Sequence, residues 1–228
     1  MKILIVIPAY NEAENIENVM KNINKYASCH RYIIVNDGSS DCTINTCKQG
    51  CFSYLDLPIN LGLEAAIQTG MQYASKQGYD GVLQFDGDGQ HNAKYISVLC
   101  DSMDAHNADI VIGSRFLKED KPFSLRMAGA SLLQLLIKVT TGTKLTDPTS
   151  GMRLFNKKMI EKFAWGMNYG PEPDTLVYLM RSGAKVVEVP VTMHERVAGE
   201  SYLNFANSMR YMLRMCISIL VVQWFRKK

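Results

Sequence analysis

The chain has 228 residues, 47% of them apolar and 21% charged, with a formal net charge of +3. That much apolar material can bury one sizeable core and excludes a disordered or fibrous chain. So small a charge excess gives no reason to expect nucleic acid as a partner, which calls for a concentrated basic patch.

The six cysteines include no pair at the two-residue spacing of a zinc knuckle or redox motif, so they read as plain thiols in a reducing compartment. The opening MKILIVIPAY is a short apolar run broken by Pro8, without a signal-peptide cleavage site. A place on the cytoplasmic side is therefore expected.

KILIVIP reads as a first buried strand, and residues 14–26 follow with Ile16, Val19, Met20 and Ile23 at helical spacing. RYIIVND is a second strand closed by the turn DGSS, and Asp41 can cap a helix over 41–49. FSYLDLP is a third, short strand. Residues 62–77 carry a helical pattern through Leu63, Ala66, Ile67, Gly70, Met71 and Ala74. DGVLQFDGDG and ADIVIGSRF are further strands, the first ending in carboxylates and the second in a cation. This alternation predicts an α/β fold with a mostly parallel sheet covered by helices on both faces. In such sheets ligands bind at the carboxyl ends of strands. Pro8, Tyr10, Asp37, Asp86, Asp88 and Arg115 all fall there.

In QFDGDGQH, Asp86 and Asp88 flank Gly87 directly after a buried strand. Two close oxygen donors on a glycine-rich turn suit a hard divalent cation that is shared with substrate phosphates. An Asp-Gly pair is also a common polar turn, so the doublet alone leaves both readings open. In VNDGSSD, Asp37 stands where a carboxylate can accept from a nucleobase or ribose, with Gly38 permitting close approach. PAYNE adds Tyr10 as a stacking face and Glu12 as an acceptor, although Asn11 and Glu12 also fit helix capping.

Taken in order, VIPAYNE, IVNDGSSDCT, NLGLEAAIQTG, LQFDGDGQH, IVIGSRF, DPTSGMRLF and VPVTMHERVAGES resemble the family 2 glycosyltransferases of the GT-A (Rossmann-like) fold. The branch they resemble most comprises dolichyl-phosphate mannosyltransferases and bacterial polyprenyl-phosphate sugar transferases. The resemblance implies that Pro8, Tyr10, Glu12 and Asp37 hold the nucleotide. It also implies that Asp86, Asp88 and Gln90 hold Mg2+ or Mn2+, with Asp86, Gly87 and Asp88 meeting the nucleotide diphosphate, and that Arg115 meets phosphate. Two departures matter. Asn36 stands where relatives often carry a first aspartate, and Tyr202 follows Ser201 where they often carry lysine, leaving Arg196 as the clearer cation for the diphosphate.

On the acceptor side, the resemblance implies that Arg126 contacts an acceptor phosphate beside Arg115, although a plain helix start also fits. The apolar stretch 132–139 would lie beside a lipid-linked acceptor or form an ordinary buried helix. Asp147 and Ser150 of DPTSGMRLF are available to sugar hydroxyls, and Arg153 to a structural anchor. Glu172 and Asp174 precede a helix, where they can orient a hydroxyl or a catalytic arginine, act as a base toward a hydroxyl acceptor, or cap the helix.

Residues 204–228 are strongly apolar, with Asn207, Arg210, Arg214 and Ser218 tracing a polar stripe. The apolar run between Arg214 and Arg226 falls short of the ~20 residues that span a bilayer. An interfacial helix is expected, with Trp224, Phe225 and the closing RKK at the headgroups, and a core or oligomer helix is the alternative.

The expected organisation is a GT-A domain over 1–203 and an amphipathic helix over 204–228, peripheral at the cytoplasmic face of a membrane. The expected reaction is metal-assisted inverting transfer from a nucleotide sugar, a UDP-sugar first, to a polyprenyl phosphate. The alternatives are transfer to a sugar hydroxyl of a growing glycan and a non-catalytic nucleotide-sugar-binding subunit. A small membrane protein or a second copy of the chain is a possible partner.

Overall fold

A computed structural model describes residues 1–117, 125–167, 169–194 and 205–222, setting aside the side chains of 125–128 and 205–209. In chain order, β1 (Ile3–Ala9), α1 (Ile16–Tyr26), β2 (Arg31–Asn36), α2 (Thr43–Gln49), β3 (Tyr54–Asp56) and α3 (Leu63–Lys76) form the first half. Next come β4 (Gly81–Gln84), α4 (Ile96–His106), β5 (Ile110–Ser114), α5 (Leu125–Thr141) and β6 (Arg153–Asn156). The chain continues through α6 (Lys157–Glu161), α7 (Pro173–Arg181), β7 (Val186–Pro190) and α8 (Phe205–Ile217).

Side chains alternate across a strand, so β1 feeds two cores at once. Leu4 and Val6 enter one cluster with Ile67, Met71, Leu133, Phe155 and Leu176, while Ile3, Ile5 and Ile7 enter the other with Ile16, Met20, Ile23, Leu83 and Leu99. The helical spacing read for α1 is the face that it buries.

The seven strands lie in the order β3-β2-β1-β4-β6-β5-β7. All neighbours are parallel except at β6, which runs antiparallel to both β4 and β5. DPTSGMRLF carries no strand signal distinct from a loop motif, yet its last residues form this reversed strand. Arg153 pairs with Gln84 on one side and Ile112 on the other. The start of β6 thus lies at the same sheet edge as the ends of β4 and β5, and the loop before it joins the loops after them.

The helix α8 packs on α5 and α7, and its inner face is part of the fold. Met215 and Ile219 are 2% and 0% exposed within the first core cluster, and Tyr211 and Met212 pack against it. The stripe expected at Asn207, Arg210, Arg214 and Ser218 therefore divides. Arg210 and Arg214 face solvent, whereas Ser218, two helical turns after Tyr211, faces inward at the start of a π turn over Ser218–Val222. The side chain of Asn207, and Trp224, Phe225 and the final RKK, lie outside the described residues. No helix among the described residues is long and apolar enough to cross a membrane.

This inward face predicts a sharp contrast between neighbouring positions. Ile219→Ala should cost about 2–5 kcal/mol in urea unfolding. Leu220→Ala, half exposed, should stay within about 0.5 kcal/mol.

Candidate active site

The loops after β1 and β2 are tied together by side chains rather than by strand pairing. Asn11 takes a left-handed φ of 56° and accepts through Oδ1 from the Ser40 backbone at 2.9 Å, while its own N–H donates to Ser39 Oγ at 2.9 Å. The Glu12 N–H donates to Thr43 Oγ1 at 2.9 Å, and Asn15 Nδ2 donates to the Glu12 carboxylate at 2.6 Å. Glu12 thereby organises the start of α1, the capping alternative, while its carboxylate stays half-buried at the sheet edge. Tyr10 projects beside it, 41% exposed, and Pro8 is buried two residues past the last β1–β4 pair, where a missing N–H disturbs no bond of that ladder.

Asp37 is almost closed off from solvent. Its two carboxylate oxygens accept from the backbone N–H groups of Leu61 and Gly62, each at 2.8 Å. The residue expected to meet the base thus holds the 59–62 loop against the second strand's end. A Cβ on Gly38 would lie 2.4 Å from the Ile59 carbonyl carbon, so this approach requires glycine. Asn36, at the position where an aspartate was expected, donates to Asp56 Oδ1 at 2.7 Å and accepts from Ser39 Oγ at 2.5 Å. An amide can do both; a carboxylate could only accept.

At the end of β4, Asp86 is gripped from two sides. Gln84 Nε2 donates to Oδ1 at 3.2 Å, and His91 Nε2 lies 3.1 Å from Oδ2. Burial works against its ionisation, but the His91 and Gln84 contacts and the nearby Arg153 charge hold the carboxyl below its ordinary value. A Cβ on Gly151 would lie 1.9 Å from Asp86 Oδ2, so the loop before β6 closes directly over this carboxylate. Gly87 is buried beside the Pro8 carbonyl, and Asp88, half-buried, accepts from the Gln90 backbone at 3.0 Å.

Asp86, Asp88 and Gln90 supply oxygen donors, and no group of three or more His, Cys, Asp or Glu among the described residues forms a protein-only metal cage. Such a donor set fits Mg2+ or Mn2+ shared with substrate phosphates and water, the mode in which a few carboxylates suffice.

Arg115, after β5, is held in a bidentate fork by Asp147, with Nε–Oδ2 at 2.7 Å and Nη2–Oδ1 at 2.9 Å. Asp147, only 1% exposed, is thus engaged with the guanidinium and is not an open sugar contact. Its backbone N–H donates to Glu188 Oε1 at 2.8 Å, and the Thr146 N–H donates to Oε2 at 2.7 Å. Arg153, fully buried, donates to the carbonyls of Ser150 and Pro148, both at 2.7 Å, and so serves as the anchor of this loop.

On the third side, Glu172 and Asp174 open α7. Tyr211 OH donates to Glu172 Oε2, and Ser218 Oγ donates to Asp174 Oδ2 at 2.5 Å. Burial pushes the Glu172 carboxyl above its ordinary value, partly offset by the Tyr211 hydrogen bond and the Arg153 charge.

The structure therefore brings Pro8, Tyr10, Glu12, Asp37, Asp86, Gly87, Asp88, Gln90 and Arg115 to the carboxyl edge of the sheet. The backbone of Arg126 lies in the first turn of α5, but its side chain lies outside the described residues, as do Arg196, Ser201 and Tyr202. Sequence reasoning missed His91 and Glu188. Each had a signal, since His91 closes the QFDGDGQH motif and Glu188 interrupts the apolar strand VVEVP.

Burial raises the Glu188 carboxyl above its ordinary value of 4.5, against the backbone hydrogen bonds of Thr146 and Asp147. A carboxyl so shifted contributes stability that is fully present below its unfolded value and lost as pH rises through the folded one. The unfolding free energy of Glu188→Gln relative to wild type should accordingly rise across that window and level above it. A difference independent of pH would remove Glu188 from this account.

Comparisons with known proteins identify the family and the fold. The model of Glycosyl transferase family 2 matches residues 4–164. The polyprenol monophosphomannose synthase of Mycolicibacterium smegmatis is 27% identical, over 93% of this chain and 84% of its own. The undecaprenyl-phosphate mannosyltransferase of Micrococcus luteus is 28% identical, over 90% and 88%. Among solved structures, glucosyl-3-phosphoglycerate synthase of Mycobacterium tuberculosis with Mn2+, UDP-glucose and glycerol 3-phosphate superposes with a TM-score of 0.70. It is 16% identical, covering 100% of this chain and 81% of that one. The sheet with its flanking helices has the GT-A architecture, and the chain belongs to glycosyltransferase family 2 as an enzyme of that family.

Proposed function

We propose that the chain transfers a sugar from a nucleoside diphosphate sugar to a polyprenyl phosphate at a membrane surface. The observation that carries this reading is the convergence of the Asp86–Asp88 carboxylates and the clamped Arg115 at one sheet edge, in a fold whose helices α5 and α8 each leave apolar side chains exposed. On α5 these are Leu132, Leu135 and Val139; on α8 they are Leu213 and Ile217, with Leu220 in the turn that follows, beside Arg210 and Arg214. The two relatives, one a polyprenol monophosphomannose synthase and the other an undecaprenyl-phosphate mannosyltransferase, support the acceptor class.

Tyr10 and Pro8 would face the base and ribose, with Glu12 accepting from hydroxyls and Asp37 holding the wall of that pocket through the 59–62 loop. UDP-sugars are the first donors to test, with GDP-mannose beside them. Asp86, Asp88 and Gln90 would hold Mg2+ or Mn2+, which when bound neutralises the leaving diphosphate. Arg115, fixed as a cation by Asp147, would meet phosphate, together with Arg126 on the acceptor side and Arg196 on the donor side.

A phosphate acceptor is already ionised near neutral pH, so its oxygen attacks the anomeric carbon without a base. The new C–O bond forms as the bond to the diphosphate breaks, the electron pair leaves with the nucleoside diphosphate, and the anomeric centre inverts. The residues contribute position and charge complementarity. A sugar hydroxyl would instead need a base, and Glu172, whose carboxyl burial raises, is the residue suited to that second reading. Membership of the family as an enzyme sets the non-catalytic subunit aside.

Purified protein should convert radiolabelled nucleotide sugar, undecaprenyl phosphate and Mn2+ or Mg2+ into a chloroform-soluble, mild-acid-labile product. Label entering only a water-soluble glycan would overturn the lipid acceptor. Asp88→Ala should lower turnover by at least about a hundredfold while unfolding like wild type; unchanged turnover at saturating donor would sink the metal assignment.

Membrane attachment is best tested on the outer face of α8, because deleting 212–228 would also remove Met215, Ser218 and Ile219 from the core. Leu213→Glu with Ile217→Glu should reduce co-sedimentation with anionic vesicles, and added salt should weaken wild-type binding without abolishing it. Equal sedimentation of both proteins would place this face in another contact.

A further inference from the structure

We propose that helix α8 and the π turn that continues it form a positioning clamp for the acceptor-side carboxylates, with Tyr211 setting Glu172 and Ser218 setting Asp174. The inference rests on the reading that Glu172 and Asp174 face the transferred group or its acceptor.

The geometry makes the clamp specific. Tyr211 and Ser218 are seven residues apart, close to two helical turns, and so share one face of the element. Glu172 and Asp174 are the N-cap and a first-turn residue of α7. Two hydroxyls, one on α8 and one at the start of the π turn that continues it, thus reach two acids at the start of α7, Tyr211 OH to Glu172 Oε2 and Ser218 Oγ to Asp174 Oδ2. Asp174 Oδ1 also accepts from the Thr175 N–H at 2.8 Å. A rotation of α8 by one residue, about 100°, would withdraw both donors together. The apolar neighbours Met215 and Ile219 fix that rotation, being 2% and 0% exposed.

Packing alone does not call for hydroxyls at 211 and 218. Each donates to an oxygen of a buried acid, a hydrogen bond that offsets water lost on burial. The Glu172 carboxylate is surrounded by groups from four elements: Tyr211 on α8 and Arg153 on β6 lower its proton affinity, whereas Glu64 on α3 and Asp174 on α7 raise it, in addition to burial. Tyr211 is thus a positioning residue that also keeps Glu172 more ionised than its burial alone would allow. Ser218 holds Asp174, 5% exposed, against the same helix start.

The test compares Tyr211→Phe, Ser218→Ala and Met215→Ala in the full chain, assayed with undecaprenyl phosphate and nucleotide sugar. Met215→Ala loosens the same helix without touching either acid. Tyr211→Phe should raise the acceptor KM or lower kcat by about tenfold, leave the donor KM within about twofold, and move the acid limb of the pH profile upward, because the lost hydrogen bond favoured the ionised carboxyl. In a Glu172→Gln background the same substitution should have little further effect. If Met215→Ala reproduces both the KM split and the pH shift, the clamp is ordinary packing and the proposal fails.

An activity-independent arm is carboxyl NMR titration of Glu172, identified by its loss in Glu172→Gln. An upward shift in Tyr211→Phe without any transfer to lipid phosphate would uphold the clamp and overturn the proposed reaction. An unchanged titration would overturn the clamp whatever the reaction.

Discussion

The reversed strand β6 is the constraint on which the candidate site depends. A parallel strand between β4 and β5 would carry its preceding loop to the opposite end of the sheet. Because β6 enters from the carboxyl edge, Arg153 sits opposite Gln84 and Ile112, and the 146–152 loop lies among the loops that follow β4 and β5. Gly151 then closes over Asp86, and Asp147 meets Arg115. One change of strand direction thereby supplies both the cover of the carboxylate doublet and the clamp of the guanidinium.

Around that strand, charge is organised in relays rather than in isolated pairs. Glu188 on β7 accepts from the Thr146 and Asp147 backbones, and Asp147 fixes Arg115. Arg153 anchors the same loop through two carbonyls while its charge favours ionisation of both Asp86 and Glu172. A buried charge is costly unless paired and hydrogen-bonded; Arg115 and Asp147 pair with each other, whereas Arg153 has two carbonyl acceptors and leaves Nη1 without one. Preorganised charge of this kind suits a reaction between two anions, in which the protein must hold rather than transform the reactants.

The helix α8 joins two requirements in one element. Its inner face fills the core and reaches Glu172 and, through the turn that continues it, Asp174, and its outer face exposes Leu213 and Ile217 beside Arg210 and Arg214. An apolar surface in water has a free-energy cost, and basic flanks are the complement of an anionic lipid layer. The buried inner face and the exposed apolar outer face thus belong to one continuous segment.

The sequence by itself determined the strands β1 to β5, the helical face of α1 and the strand-end positions of Pro8, Asp37, Asp86, Asp88 and Arg115. Those features are local: periodicity reports which face is buried, and turn residues report where a strand stops. The motif order was also enough to indicate the family. Only the tertiary structure decided that RLFN pairs in reverse, that Asp147 clamps Arg115, that Glu188 holds the loop between them, and that Ser218 turns inward toward Asp174. Each of these joins residues distant along the chain. Arg115 and Asp147 are 32 positions apart and Asp174 and Ser218 are 44 apart, so no local period encodes them. An acid in an apolar strand or a serine in a polar stripe acquires its role only when folding removes water from it and brings partners within reach.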